Sequence, residues 1–278
     1  MTRRIPMAIA VFTVALRLSA ADTPQAQGRA GVTGFWETET SVALITGEID
    51  KAAAGLSQTL TAGPSGGPSP LERELPRHVK LWGRPPYTAQ WEDTLRNAPR
   101  PPTPPDPSHI AKTCSPEGFP YAMESPFPEG MFQVVVTRAE TLLLFTHGEV
   151  RQIFTDGRRH PGSADLWPTP LGDSIGHWSG ATLVIDTIAR KAGPVTPLPI
   201  PGVADLSEQA HFTERLQLID ADTLQNDLTI DDPQRFAHPW QITIRYERVT
   251  DVDRLIPVEC TENDRDEMVN GKLTIVMP

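Results

Sequence analysis

The chain has 278 residues, with 25 basic against 35 acidic side chains and a formal charge of −10 at neutral pH. That balance lacks the basic patches that nucleic acid or an anionic membrane surface requires, so neither is expected as a partner. The length suffices to bury one large core, and 29 prolines, about twice the usual ~5 % share, mark segments that form neither helix nor ladder.

The first residues read as an address. Arg3 and Arg4 supply a positive end, Ile5 to Leu16 a short apolar run, and Ser19-Ala20-Ala21 a small-residue cleavage site. Arg17 closes the run before it reaches the length of a bilayer, and no later run approaches that length, so no membrane span is expected. Residues 1–21 are therefore read as an export signal, and the remainder as a periplasmic or secreted protein.

Residues 22–110 form an amino-terminal region of mixed character. GFWETETSVALI (34–45) has the composition of a strand, and AGPSGGPSP (62–70) that of a flexible loop. YTAQWEDTLRN (87–97) places Trp91 and Leu95 at helical spacing, which predicts one short helix, and PRPPTPPDP (99–107) is an extended connector. Cys114 and Cys260 are the only cysteines. Outside the cytoplasm such a pair favours a disulfide, worth about 4–5 kcal/mol for so long a loop; the alternative is two separate buried thiols. No Cys/His grouping has zinc-site spacing, and no metal is expected.

From residue 111 onward the chain reads as the main domain. MFQVVVTR (131–138), TLLLFTH (141–147), EVRQIFT (149–155), ATLVIDTI (181–188), HFTERLQLI (211–219), TLQNDLTI (223–230), WQITIRYERV (240–249) and KLTIVM (272–277) are short apolar or β-branched runs with tight polar breaks. With 34–45 they make about nine strands. The expectation is an all-β antiparallel meander closing into a lipocalin-like barrel, with a Pro-rich, partly helical amino-terminal arm.

Alternate residues of a strand face opposite sides, so parity assigns faces. Trp240, Ile242, Ile244 and Tyr246 point inward, as do Leu224, Asn226, Leu228 and Ile230. Two strands place a carboxylate on the apolar side: Glu214 with Phe212, Leu216 and Leu218, and Asp186 with Val184 and Ile188. An unpaired buried carboxylate is costly, and Arg158, Arg215 or a histidine are available partners. Each is read either as an internal ion pair that fixes register or as the polar floor of an apolar cavity, working as acid or base.

FTDGRRHP (154–161) sets Asp156, Arg158, Arg159 and His160 within five positions. Asp156-Gly157 is a turn signature. His160, beside an arginine and held by Pro161, reads as a neutral imidazole able to act as a base, or else as a surface or capping histidine. There is no GxSxG elbow around Ser174, no Rossmann or P-loop pattern, and no cofactor is expected.

CSPEGFP (114–120), DGRRHP (156–161), GDSIGHWSGATLVIDT (172–187), SEQAHFTERL (207–216), TIDDPQRFAHPW (229–240) and ECTEN (259–263) occur in one order. Together they resemble a group of exported bacterial proteins of uncharacterised function with DGRxHP, GxWxGxTLVxDT-like, ER and TIxDP…PW motifs. The resemblance implies no particular activity. Ser179 and Ala181 stand where that group usually has Glu and Asp. Separately, Gly34-Phe35-Trp36 resembles the GxW opening of lipocalin-type barrels, which bind apolar ligands.

These readings converge on a cofactor-independent lyase or isomerase acting on a hydrophobic, aromatic or polycyclic small molecule. His160 or His211 would be the base, Glu214 or Asp186 the orienting group or acid, and Arg158 the stabiliser of a developing oxyanion. Trp178, Trp240, Tyr246 and His177 would contact the substrate. The alternative is a non-catalytic periplasmic protein that binds a small molecule or lipid in the same cavity.

Overall fold

The computed structural model describes residues 29, 31–39, 85–97, 118–123, 131–146, 148–194, 205–255, 266–269 and 272–275. The export signal expected over 1–21, the loop 62–70, the Pro-rich stretch 99–107, both cysteines and His147 lie outside the described residues.

The strands form where apolar and β-branched residues alternate with polar ones. They are β1 (Gly34–Thr38), β2 (Phe132–Val136), β3 (Glu140–Phe145), β4 (Val150–Phe154), β5 (Asp173–Ser179) and β6 (Thr182–Ile188). A two-residue pair follows, β7 (Gly193–Pro194) with β8 (Asp205–Leu206), then β9 (His211–Leu218), β10 (Thr223–Asp231) and β11 (Trp240–Val249). Nine of these close into a barrel in the order β1-β11-β10-β9-β6-β5-β4-β3-β2.

The all-β barrel expectation holds, with β1 as its first stave. Two details differ. KLTIVM is not a barrel stave: β13 (Lys272–Ile275) pairs with β12 (Asp266–Val269) in a separate two-stranded sheet. Its place in the barrel is taken by β5, from a Gly- and Pro-rich passage without strong alternation. The barrel is also not wholly antiparallel, because β4 and β5 run in parallel, with Ile153 opposite Ser174. An odd number of staves cannot alternate direction all the way round a closed ring, so one parallel neighbour is unavoidable. An eight-stranded lipocalin barrel has no such constraint.

The parallel pair has a consequence for the outer wall. The connection 155–172 leaves and returns at the same end of the two strands, since Phe154 at the end of β4 stands opposite Ile175 near the start of β5, and its residues are exposed or half-buried on the outside. Its turn at Asp156-Gly157 is as the sequence predicts: Gly157 has φ +87° and Asp156 Oδ1 accepts from the Arg158 backbone N–H at 3.2 Å. At its far end Gly172 has φ +74°, and a Cβ there would lie 2.7 Å from the Ile188 carbonyl oxygen. A glycine is required at that point for β5 to enter alongside β6.

The core lies inside the barrel. Trp36, Phe132, Leu143, Ile153, Leu183 and Phe212 are fully buried. The sequence-assigned faces of β9, β10 and β11 are as expected, with Glu214 and Asn226 inward among apolar neighbours. One end is closed around Trp36. Its indole Nε1 donates to the Val32 carbonyl at 2.9 Å, and the Arg248 guanidinium lies 4.2 Å over the ring while donating to the carbonyls of Gly31, Thr33 and Ala221. The other end receives Phe119, packed edge-on to Phe212, and a cluster of Tyr87, Phe236 and Trp240.

The predicted helix is α1 (Ala89–Asn97). Thr88 caps it, its Oγ1 accepting from the Trp91 N–H at 3.2 Å. Trp91 packs partly against the core under the Arg235 guanidinium, and backbone bonds from Thr88 to Arg235 and from Ala237 to Pro86 stitch this segment to the β10–β11 connection. No helix among the described residues is long and apolar enough to cross a membrane.

Candidate functional site

Glu214 on the one hand, and Asp186 with His160 and His211 on the other, belong to two networks on opposite sides of the same sheet. The first is inside. Glu214 is completely buried, as parity predicts, but its partner is Arg151 of β4, and not Arg158, Arg215 or a histidine. Both guanidinium Nη atoms face the carboxylate; Arg151 Nη2 also donates to Thr187 at 3.0 Å, and Asn226 Nδ2 donates to Glu214 Oε2 at 2.8 Å. The Phe119 ring covers the guanidinium at 3.9 Å. Charge, hydrogen bonds and a ring face compensate the pair, with Arg151 Nε and Asn226 Oδ1 left as buried polar atoms without a hydrogen-bond partner among the described residues. Its chemistry is that of a fixed internal strut from β4 to β9, and Glu214 is not placed to exchange protons with a substrate.

The second network is on the outer wall, and it corrects the reading of Asp186. On β6, Leu183, Ile185 and Thr187 are the buried residues, so Asp186 faces outward with Val184 and Ile188. Parity failed here because both faces of β6 carry apolar residues, the outer set being half covered.

His160 comes down onto this wall from the crossover. Its Nδ1 meets Asp173 Oδ1 at 2.5 Å and its Nε2 meets Asp186 Oδ1 at 2.8 Å. An ionised carboxylate only accepts, so each of these contacts is made with the carboxylate as acceptor whenever the facing ring nitrogen carries hydrogen. His160 is therefore clamped between two carboxylates, with a ring nitrogen directed at each. On the other side His211 Nε2 lies 2.9 Å from Asp186 Oδ2. Asp173, His160, Asp186 and His211 thus form a continuous chain across β5, β6 and β9.

The members differ in access. The His160 side chain is 16 % exposed, that of His211 45 %. Partial burial pushes the Asp186 carboxyl up, but the hydrogen bonds from His160 and His211 outweigh it and hold the group below the ordinary aspartate range. With its Nε2–H given to Asp186, a neutral His211 has its Nδ1 lone pair free, and among the described residues that nitrogen has no partner.

Arg158 does not join either network. It is exposed, paired with Asp156 two residues away and stacked over Phe154 at 3.8 Å. Trp240 and Tyr246 are buried core residues, packed against Phe236 and Phe132, and present no open wall to a substrate. Trp178 is partly buried at the Trp36 end of the barrel, with Arg29 at 5.5 Å over its ring. His177 is exposed on the outer face of β5, where it neighbours Val184.

Sequence reasoning missed Arg151, Asp173, Ser174 and Thr187. Arg151 was open to detection, since it shares parity with Ile153 on β4, the same signal that singled out Glu214. Asp173 and Ser174 lie in the GDSIGHW segment whose strand was not recognised. Ser179 and Ala181 are exposed at the tip of the β5–β6 hairpin, whereas Asp186 is paired with Ile175 toward its base. Compared with known proteins, the chain matches no family model, no curated protein and no solved structure.

Proposed function

We propose that the protein is a cofactor-independent acid–base enzyme, a lyase or isomerase, whose reactive group is His211 on the outer barrel wall. The observation that carries this reading is the His211–Asp186 pair: one ring nitrogen is held by a carboxylate kept ionised, and the other is open and half exposed. A general base needs a fixed tautomer, a reachable lone pair and a counter-charge for the imidazolium that forms, and this pair has all three. His160, clamped behind Asp186, holds the carboxylate oxygen on that side and so orients the other toward His211.

In the reaction the substrate C–H bond breaks and its electron pair remains on carbon, while the proton forms an N–H bond at His211 Nδ1. Return of that proton to a different carbon gives an isomer. Loss of a leaving group from the adjacent carbon, with the retained electron pair forming the double bond, gives elimination. Neither outcome needs an external oxidant. The apolar substrate class follows from Ile175, Val184 and Ile188, half-buried beside Asp186. The export address read at residues 1–21 sets this chemistry outside the cytoplasm.

Incubation of the purified protein with metabolite extract from a source strain lacking it, followed by mass spectrometry, tests the reading. An isomerase yields a product of unchanged mass, a lyase two products that sum to the substrate. Either should occur with the native protein and fall at least about a hundredfold in His211→Ala, the usual scale for a general base. Identical conversion by the variant, or no conversion by either, defeats the proposal. Retention of one metabolite unaltered would favour the carrier reading.

A further inference from the structure

We propose that Arg215 and His177 form an anion-binding subsite beside His211, so that the substrate is a carboxylate carried on an apolar skeleton. This deepens the acid–base reading and rests on it.

The placement comes from strand register. On β9 the outward residues are His211, Thr213 and Arg215. Asp186 is paired with Thr213 and Val184 with Arg215. His177 on β5 is paired with Val184 from the other side. Val184 therefore lies between a guanidinium and an imidazole on neighbouring staves, about 10 Å apart at their backbones. His211 is four residues from Arg215 along β9, about 13 Å at the backbone, with Asp186 between their rows. The three side chains thus border one patch of the outer wall, with Val184 and Ile175 within it, over which the skeleton of a small molecule would lie.

Arg215 is free to do this. The carboxylate directly opposite it is Asp227, which would ordinarily take an arginine as a cross-strand partner. Both Asp227 oxygens instead accept from Gln225 Nε2, at 3.0 and 3.1 Å, and Thr243 Oγ1 adds a third bond at 3.0 Å. Among the described residues Arg215 makes no hydrogen bond and no ion pair, although it stands on an acidic protein. A guanidinium presents a planar fork of donors that matches a carboxylate, and one left open has that geometry available. The nearby acids do not compete for it: Asp173 is engaged by His160, and Asp186 by both His160 and His211.

The test is a backbone-amide NMR titration with benzoate, an aromatic carboxylate, and with benzyl alcohol as its uncharged counterpart. Benzoate should shift the amides of His177, Val184 and residues 213–215 in a saturable way, and benzyl alcohol should not. Arg215→Gln should weaken the benzoate effect at least tenfold, whereas His211→Ala should retain it. Equal binding of the alcohol, undiminished binding by Arg215→Gln, shifts confined to another face, or no shift at all would overturn the subsite. Turnover by the native enzyme with His211→Ala inactive would still stand in those cases, so failure here is distinct from failure of the acid–base reading.

Discussion

Glu214 is the residue on which the barrel interior is most finely balanced. Its carboxylate and the Arg151 guanidinium are both buried among apolar side chains, and each is tolerable only because the other is present. Glu214→Gln preserves shape but leaves a buried arginine uncompensated, and should cost about 3–5 kcal/mol in urea unfolding. Replacing both partners, as in Arg151→Met with Glu214→Leu, should recover most of that loss, because an apolar pair has no charge to desolvate. A single variant as stable as the native protein would show the pair to be unneeded. The carboxylate's inward direction was legible from its neighbours Phe212 and Leu216. Parity also turns Arg151 inward, but the pairing of the two was not legible, since they are 63 residues apart with no local pattern relating them.

Among the elements, the crossover 155–172 matters most for the site. It exists because β5 enters parallel to β4, and it delivers His160 to the outer wall. Backbone bonds hold its two ends, at Thr155 and at Thr169 and Pro170, while the stretch 161–165 is exposed, so His160 is the side-chain tie of its middle. His160→Ala should raise hydrogen exchange over 155–172 about tenfold and speed proteolytic cleavage near Trp167, with little change in the midpoint of barrel unfolding. An unfolding midpoint that dropped in step with exchange would mean the crossover is part of the cooperative core. Strand β5 was hidden from pattern reading by Gly176, whose place a Cβ would fill at 3.0 Å from both Ile153 Cγ2 and the Val184 carbonyl. The tight packing that makes glycine necessary there also removes the side chain by which an inward face is recognised.

For the molecule as a whole, acid is the condition that bears on the outer wall. The Asp186 carboxyl has its pKa lowered on folding, so its contribution to stability is fully present above the ordinary aspartate value of 3.8 and is lost as the pH falls through the lower folded value. Asp186→Asn removes that dependence. The stability difference between native and variant protein should therefore shrink as the pH falls below about 4, measured by urea unfolding across the series. A difference that did not change with pH would assign the loss to packing and not to charge.

Periodicity along the chain was enough to establish an all-β molecule, most of its strands, the helix α1 and the inward faces of β9 to β11, because period and burial are coupled locally. The closing of the sheet, the parallel entry of β5 and the pairing of His160 with Asp173 and Asp186 came only with the folded barrel. They depend on which strands become neighbours, and that is settled by the packing of segments far apart in the chain. Asp186 marks the boundary between the two: its strand was readable, but with apolar residues on both sides only the assembled wall could decide which way it faced.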